Sequence, residues 1–339
     1  MDEKKTTEIT TTTILKAIAI ILGVVFIYLI RNILLMLFVS VIIASAVDAP
    51  IDWLVRHKIR RGLAVAMVYV LGIAIFGGML YFIIPQLASQ MKLLASNMPE
   101  YLGELEGKLQ WLGGKFGIVS MQDLFSSVGD RLGMAASDLF VATINFFGGV
   151  FSALIVLIIS IYVAVKEQAV KKFFVSLSPA KYEAYIENLT DRILYKLGAW
   201  FRGQIILMAV IGVMTYIGLT LLKVKFALTL ALIVGLLEIV PIIGPIIAAV
   251  PAILFALLQS PGLALLTAAL YYVIQELEKY LIVPLVMKRA VGLNPISIMV
   301  AVLIGVELHG IIGAIIAIPV AAVISIIFRD IMSSRKAQA

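Results

Sequence analysis

Long apolar stretches alternate with short charged loops along this chain. An apolar run of about 20 residues is long enough to cross a bilayer as one helix. All predicted elements are helical, so the predicted fold class is an all-α membrane protein with several spans. Arg31 and Asn32 form the predicted turn between the first two spans. The predicted spans are Ile14–Ile30, Ile33–Val47, Leu63–Ile84, Leu139–Val165, a stretch that ends at Leu222, and Leu263–Pro284.

Two further apolar stretches, Phe226–Leu258 and Pro295–Phe328, are too long for a single span. A helix of about 33 residues reaches about 50 Å, whereas the hydrocarbon core of a bilayer is about 30 Å thick. Pro241, Gly244 and Pro245 interrupt the first stretch, because proline removes a backbone donor and clashes with the preceding turn. The stretch is therefore predicted to be two half-helices that meet at a broken tip.

The residues around this tip recur in the second long stretch. The Ile-Ile-Gly and Ile-Ile-Ala triplets that follow Glu238 recur at the same distances after Glu307. In this second copy, Gly310 stands in place of Pro241 as the helix breaker. We interpret this pattern as an internal repeat. If both stretches are re-entrant hairpins, residues 202–258 and 262–328 form an inverted pair, and secondary transporters commonly build their site from such pairs.

Clusters of Lys and Arg indicate the cytoplasmic side of a membrane protein. They lie within residues 56–61, 166–172, 288–289 and 329–336. If the two broken stretches re-enter, all four clusters fall inside and Ser260 falls outside. If each stretch is one long span, Lys288 and Arg289 fall outside. The charge bias favours hairpins, with both termini in the cytoplasm.

Two polar regions are predicted to be amphipathic helices. Residues 85–139 keep a helical spacing of Leu and Met and carry more acidic than basic residues, as expected for an external segment. A helix that begins at Ser178-Pro179 is predicted to lie on the cytoplasmic membrane surface, and Arg202-Gly203-Gln204 ends it and opens the next span. The chain thus divides into N-terminal transmembrane helices (1–84), an external region (85–139), a span with a surface helix (140–201), a transport core (202–330) and a basic tail (331–339).

Composition supports a membrane protein and excludes several other classes. Hydrophobic residues make up 62% of the chain and charged residues 14%, whereas soluble domains are nearer half and a quarter. The net charge is +7, and the Lys and Arg residues that produce it lie in loops beside the spans. Binding to anionic lipid explains this placement better than binding to nucleic acid. With no cysteine and only two histidines, thiolate and His-built metal sites are excluded, and no cofactor is expected. Walker-type glycines and paired catalytic side chains are absent, so we expect neither an ATPase subunit nor an enzyme.

Five short motifs follow one another along the second half of the chain. They are Arg202-Gly203-Gln204, Pro241-x-x-Gly244-Pro245, Pro251-Ala252, Gln275-x-x-Glu278 with Pro284, and Gly310-x-x-Gly313 with Pro319. In this order and spacing the chain resembles the autoinducer-2 exporter family of prokaryotic membrane permeases, over nearly its whole length. It departs from the family pattern at Leu293-Asn294-Pro295, where a His usually precedes the Pro.

The resemblance implies an oligomeric inner-membrane transporter with about eight membrane segments. It leaves the substrate open, because members of the family are linked both to signal-molecule export and to sodium–proton exchange.

The candidate functional residues lie at the two tips and on neighbouring spans. Glu238 and Glu307 stand where a carboxylate is costly, so ion or substrate binding is the default hypothesis. The alternative is a structural role, with an Arg from another span or a water-filled vestibule as the partner. The two carboxylates are hypothesised to form one central site that opens alternately to each side. The other candidates are the tip-shaping Pro241, Gly244, Pro245, Gly310 and Gly313, Arg202 and Gln204 as a gate or a helix anchor, and Gln275 and Glu276, of which Glu276 is the inward-facing candidate.

Three neighbours of these candidates have ionisable side chains. Glu278 and Lys279 fit an interfacial position, and His309 is either a proton shuttle or a hydrogen-bonded structural residue.

Together these features predict a transporter or permease for a small polar solute, with ion coupling as an option. The alternatives are a monovalent cation/proton antiporter and a passive oligomeric channel. The expected location is the prokaryotic inner membrane, and the expected partners are lipid, the solute or cation, and further copies of the chain, without nucleic acid.

Overall fold

The structure is a computed structural model that describes residues 11–83, 85–86, 89, 149–166, 168–241, 243–287 and 294–336. Within these ranges the chain is helical and forms no strand. The predicted external region, apart from three positions, lies outside the described residues, as do Lys288 and Arg289. The helices are α1 (Thr11–Arg56), α2 (Arg61–Ile83), α3 (Gly149–Val165), α4 (Ala169–Ser176), α5 (Glu183–Leu221), α6 (Ala227–Leu237), α7 (Ile243–Gln259), α8 (Pro261–Leu277), a π turn (Glu278–Ile282), α9 (Val283–Met287) and α10 (Pro295–Lys336).

Among the described residues, four helices are long and apolar enough to cross a membrane. They lie at Ile14–Arg56, Arg61–Ile83, Ala180–Leu221 and Ile312–Ser333. A fifth is counted if α3 and α4, which meet at 86°, form one broken span. The all-helical membrane fold is therefore confirmed, whereas eight segments and an inverted repeat stay predictions.

The N-terminal region differs from the prediction of two spans. Residues 11–56 form one continuous helix, with Arg31 and Asn32 inside it. Neither residue breaks a helix, since both keep the backbone N–H that proline lacks, and polarity alone does not end a helix. The cytoplasmic position of the N-terminus stays a prediction.

Helix α5 also joins two elements that the sequence pattern separated. The predicted surface helix and the following span are one helix of 39 residues, and Arg202-Gly203-Gln204 lies within it. Gly203 serves close packing and does not act as a breaker, because a methyl group at this position would lie 2.8 Å from the sulfur of Met287.

Both long apolar stretches are broken, as predicted, and at each break the chain folds back on itself. In α10, His309 and Gly310 leave helical geometry, and Gly310 has a φ of +57°, a conformation that favours glycine. A methyl group on Gly313 would lie 1.8 Å from the carbonyl oxygen of Gly305. Eight residues of straight helix would hold these backbones about 12 Å apart, so the two halves of α10 form a tight hairpin at the break.

The helices enclose three apolar cores. The largest lies between α5, α6, α7 and α8, and it contains Ile211, Val234, Phe255 and Ile274. A second core joins α1, α5 and α10 around Trp200, and a third joins α1, α2 and α3. The break between α6 and α7 lies where the first two cores meet, since Leu237 packs on one and Val240 belongs to the other.

Candidate functional site

The first broken tip is a compact turn between α6 and α7. Helix α6 ends at Leu237, and α7 begins at Ile243. A methyl group on Gly244 would lie 1.8 Å from the carbonyl oxygen of Leu237, so only glycine permits this close return of the chain. Pro245 falls in the first turn of α7, where proline is tolerated because the missing N–H has no helical partner.

The backbone of the tip is satisfied within the protein. The N–H groups of Ile239 and Val240 donate to the carbonyl oxygens of Leu236 (3.3 Å) and Leu237 (3.0 Å). The fully buried Gln204 on α5 donates its amide to the carbonyl oxygen of Glu238 at 2.5 Å. Short-range turn bonds and one glutamine thus occupy the carbonyl oxygens of Leu236, Leu237 and Glu238.

The side chain of Glu238 is fully buried and lies beside a second carboxyl group, that of Glu278. The two carboxyl groups interact electrostatically with each other. Within the described part of the chain, neither Glu238 oxygen has a hydrogen-bond partner or an ion pair. Glu278 additionally accepts a hydrogen bond of 2.7 Å from Gln275. The site is rich in oxygen acceptors, which include the unpartnered amide oxygen of Gln204.

Glu278, for which the sequence suggests an interfacial position, is buried within the protein and only 8% exposed. Glu276, the inward-facing candidate, is half-buried and is not part of the carboxyl pair. The burial of Glu278 could have been inferred from the spacing of its neighbours. Thr267, Tyr271, Ile274 and Glu278 are three to four residues apart, which places Glu278 on the core face of the helix.

The helix carrying Glu278 changes its geometry at this residue. Residues Glu278–Ile282 form a π turn, and the helix then resumes α geometry at Val283. Pro284 follows at once, and since it has no N–H, the regular ladder of hydrogen bonds cannot run through it. Single π turns within helices occur frequently at functional sites. Here the turn begins at the carboxyl pair itself.

Arg202 lies two residues before Gln204 on α5 and holds two helices together. Its Nη1 donates to the carbonyl oxygens of Ser45 (3.0 Å) and Ala46 (3.1 Å) on α1. Pro50 lies four residues after Ala46 inside α1, and because it lacks an N–H, the Ala46 carbonyl loses its helical donor. Arg202 replaces that donor, so the structure supports the anchor role for Arg202, and the gate role stays a prediction.

The second tip is arranged differently from the first. Glu307 is exposed, and Glu278, not Glu307, lies beside Glu238. His309 is half-buried at the break, and its Nε2 has no hydrogen-bond partner among the described residues. Gly310 and Gly313 shape the hairpin as predicted, but the joint role of both glutamates in one alternating site stays a prediction.

Comparison with known proteins identifies the family. The sequence profile described as "AI-2E family transporter" matches residues 17–333, which is nearly the whole chain. The chain belongs to the AI-2E transporter family. Relatives across this family include YueF and YrrI of Bacillus subtilis, both named as transport proteins. YueF is 25% identical, with 84% of this chain and 80% of the relative covered. YrrI is 26% identical, with 90% of this chain and 88% of the relative covered.

One AI-2E relative carries a more specific name. A sodium-lithium/proton antiporter of Halobacillus andaensis is 23% identical to this chain, with 88% of this chain and 91% of the relative covered. The family membership and the apolar helices together show a membrane transporter with several spans.

Proposed function

We propose that this AI-2E transporter is a secondary transporter that couples the movement of a small polar solute to binding of a proton or monovalent cation at Glu238 and Glu278. The observation that carries the proposal is the buried carboxyl pair, which has no Lys or Arg partner among the described residues. Two negative charges in contact inside an apolar core are too costly to persist together. The pair therefore needs a proton or a cation to be stable.

The surrounding residues hold the pair in the arrangement described here. Gln204 holds the backbone of Glu238 through its amide, and Gln275 holds the carboxyl of Glu278. Both carboxyl groups lie on chain segments that leave regular α geometry, the α6–α7 break and the π turn. When the bound proton or cation leaves, the carboxylates of the two glutamates repel each other, and both are carried by irregular segments. Repulsion between them favours a second arrangement in which water reaches the pair, and alternation between two arrangements is the requirement for coupled transport.

The second candidate function is monovalent cation/proton antiport, in which the cation itself is the cargo. Two features favour it. The site offers oxygen ligands, which are the ligands that hard cations prefer. One relative is named as a sodium-lithium/proton antiporter. A passive oligomeric channel is the remaining alternative, and it predicts flux without ion coupling. We further propose that the protein works as a homo-oligomer in a prokaryotic inner membrane.

Flux through proteoliposomes of the full chain tests these functions side by side. Protons, Na⁺, Li⁺ and a furanosyl-type signal molecule are measured with and without an imposed proton gradient. Coupled transport predicts that the gradient drives Na⁺ or the solute against its own gradient. Flux that only dissipates gradients would support the channel and overturn the proposal.

Two variants assign the coupling to the carboxyl pair. Glu238→Gln and Glu278→Gln keep the shape of the side chains but cannot carry the exchanged charge, so we expect loss of gradient-driven transport with folding intact. Glu276→Gln is the matched control, because Glu276 lies on the same helix outside the pair. Equal and undiminished coupling in all three variants would refute the assignment.

A further inference from the structure

Three buried hydroxyl groups lie in the same core as the carboxyl pair, and none has a hydrogen-bond partner among the described residues. They belong to Thr215 on α5 and to Thr267 and Tyr271 on α8. The two threonines are fully buried, and Tyr271 is 6% exposed. A buried hydroxyl without a partner is destabilising, since it has given up its bonds to water and gained none. Such groups in native proteins call for an explanation, and an ordered water or ion is a common one.

The hydroxyl groups lie on the helix faces that carry the site. Thr267 and Tyr271 on α8 and Glu278 at the start of the π turn follow one another at a spacing of four and seven residues, which places them on one face. On α5, Gln204 and Thr215 are eleven residues apart, which is about three turns and again one face. Both faces therefore carry a site residue at one end and hydroxyl groups further along.

Close contacts fix how these two helices are aligned. A methyl group on Gly218 of α5 would meet the side chain of Leu270 at 2.6 Å, and one on Gly203 would meet Met287 at 2.8 Å. Positions that increase along α5 thus match positions that decrease along the α8–α9 segment, so the helices are antiparallel. In this alignment Thr215 lies at the level of residues 273–274. All three hydroxyl groups therefore lie between the carboxyl pair and the Ser260 end of α8.

We propose that Thr215, Thr267 and Tyr271 line a hydrated path along which a proton or small cation travels between the Ser260 end of the bundle and the carboxyl pair. The inference rests on the proposed function, since it supplies the route to the coupling site. Hydroxyl groups suit this task because each both donates and accepts hydrogen bonds and so supports a chain of water molecules. The buried apolar residues Ile211 and Ile274 lie on the same two faces beside the path.

Removal of the hydroxyl groups tests the path against a purely structural role. The variants are Thr215→Val, Thr267→Val and Tyr271→Phe, alone and combined, because each removes an oxygen and nearly keeps the volume. We expect the combined variant to lower the coupled transport rate about tenfold or more. A tenfold decrease corresponds to the loss of about 1.4 kcal/mol of stabilisation along the path. Thermal stability in detergent should be unchanged, since none of the three hydroxyl groups bonds to another described residue. Thr220→Val and Tyr272→Phe are the controls, because these hydroxyl residues are exposed on the same helices.

An unchanged transport rate in the combined variant would overturn the path. If Glu238→Gln still abolishes coupling in that case, the proposed function stands and only the path fails. Should the combined variant not fold, Tyr271→Phe alone decides, since it removes a single atom.

Thiol labelling provides a second readout that does not depend on transport. The chain contains no cysteine, so Thr267→Cys introduces the sole thiol. A thiol reacts with a small cationic methanethiosulfonate only where water allows the thiolate to form. We expect labelling at this position and none at Ala252→Cys, which is fully buried in the same apolar core. Equal protection of both positions would show that the hydroxyl region is dry.

Discussion

The contact between Arg202 and the proline-containing part of α1 leads to a quantitative prediction. Arg202→Met keeps an apolar stem of similar length but removes both hydrogen bonds to the Ser45 and Ala46 carbonyl oxygens, which are 3.0 and 3.1 Å long. The Ala46 carbonyl then has neither Arg202 nor a helical donor, because Pro50 has no N–H to offer. An unsatisfied buried acceptor costs about 1–3 kcal/mol, so we expect Arg202→Met to destabilise the protein by about that amount.

Pro50→Ala supplies the missing donor and so tests the cause of this loss. In the Pro50→Ala background the Ala46 carbonyl receives a helical N–H again, and Arg202→Met should then be milder. The difference between the two backgrounds is the coupling energy of a double-mutant cycle, and we expect about 1–2 kcal/mol.

The free energy of unfolding is measured for the four proteins in mixed micelles by equilibrium titration with a denaturing detergent. Arg202→Lys is the control for charge, since it keeps a donor but cannot reach both carbonyls with the same planar group. If the two losses add within about 0.5 kcal/mol, Arg202 and Pro50 act independently. The explanation of Arg202 as the donor for the carbonyl freed by Pro50 is then refuted.

Three further predictions concern the tips and the topology. Gly244→Ala places a methyl group 1.8 Å from a backbone oxygen and should abolish folding or transport, whereas Gly262→Ala, which meets no atom within 4 Å, should be tolerated in the same thermal and flux assays. Glu307→Gln should leave the pH dependence of transport unchanged, since this carboxyl is exposed and lies outside the pair; a changed pH dependence would instead favour one site shared by both tips. For the hairpin topology, Ser260→Cys should be labelled only from outside and Lys288→Cys only from inside, and labelling of position 288 from outside would contradict it.

The sequence predicted the breaks in the long apolar stretches because their causes are local. Pro241, Gly244 and Gly310 act on their own backbone, through a missing N–H, a missing side chain or a positive φ. Such effects do not depend on what packs nearby. The hairpin at each break could therefore be expected before any contact was known.

The continuity of α1 and α5 was not predictable from polarity alone. Arg31-Asn32 and Arg202-Gly203-Gln204 look like boundaries in a hydropathy pattern, but a helix ends only where its backbone geometry changes. At Arg202 the polar group has a distant partner on α1, and at Gly203 the small residue accommodates Met287. Both reasons are tertiary contacts, which a single sequence does not reveal.

Of the two glutamates in the carboxyl pair, only Glu238 was predicted as a site residue. Glu238 was recognised because it stands alone in an apolar stretch. Glu278 lies among Glu276, Lys279 and Tyr280, which made an interfacial position the simpler interpretation. The face of the helix, set by its spacing from Tyr271 and Thr267, decides its burial.

The π turn at Glu278–Ile282 has a mechanical consequence. A π turn holds one residue more than the α-helical turn that it interrupts. When such a turn relaxes to α geometry, the segments on its two sides rotate against each other by about 100° and shift by about 1.5 Å, the step of one residue. Glu278 is the first residue of this turn and continues directly from α8, so such a relaxation would move the segment that begins at Val283 relative to α8, beside the carboxyl pair.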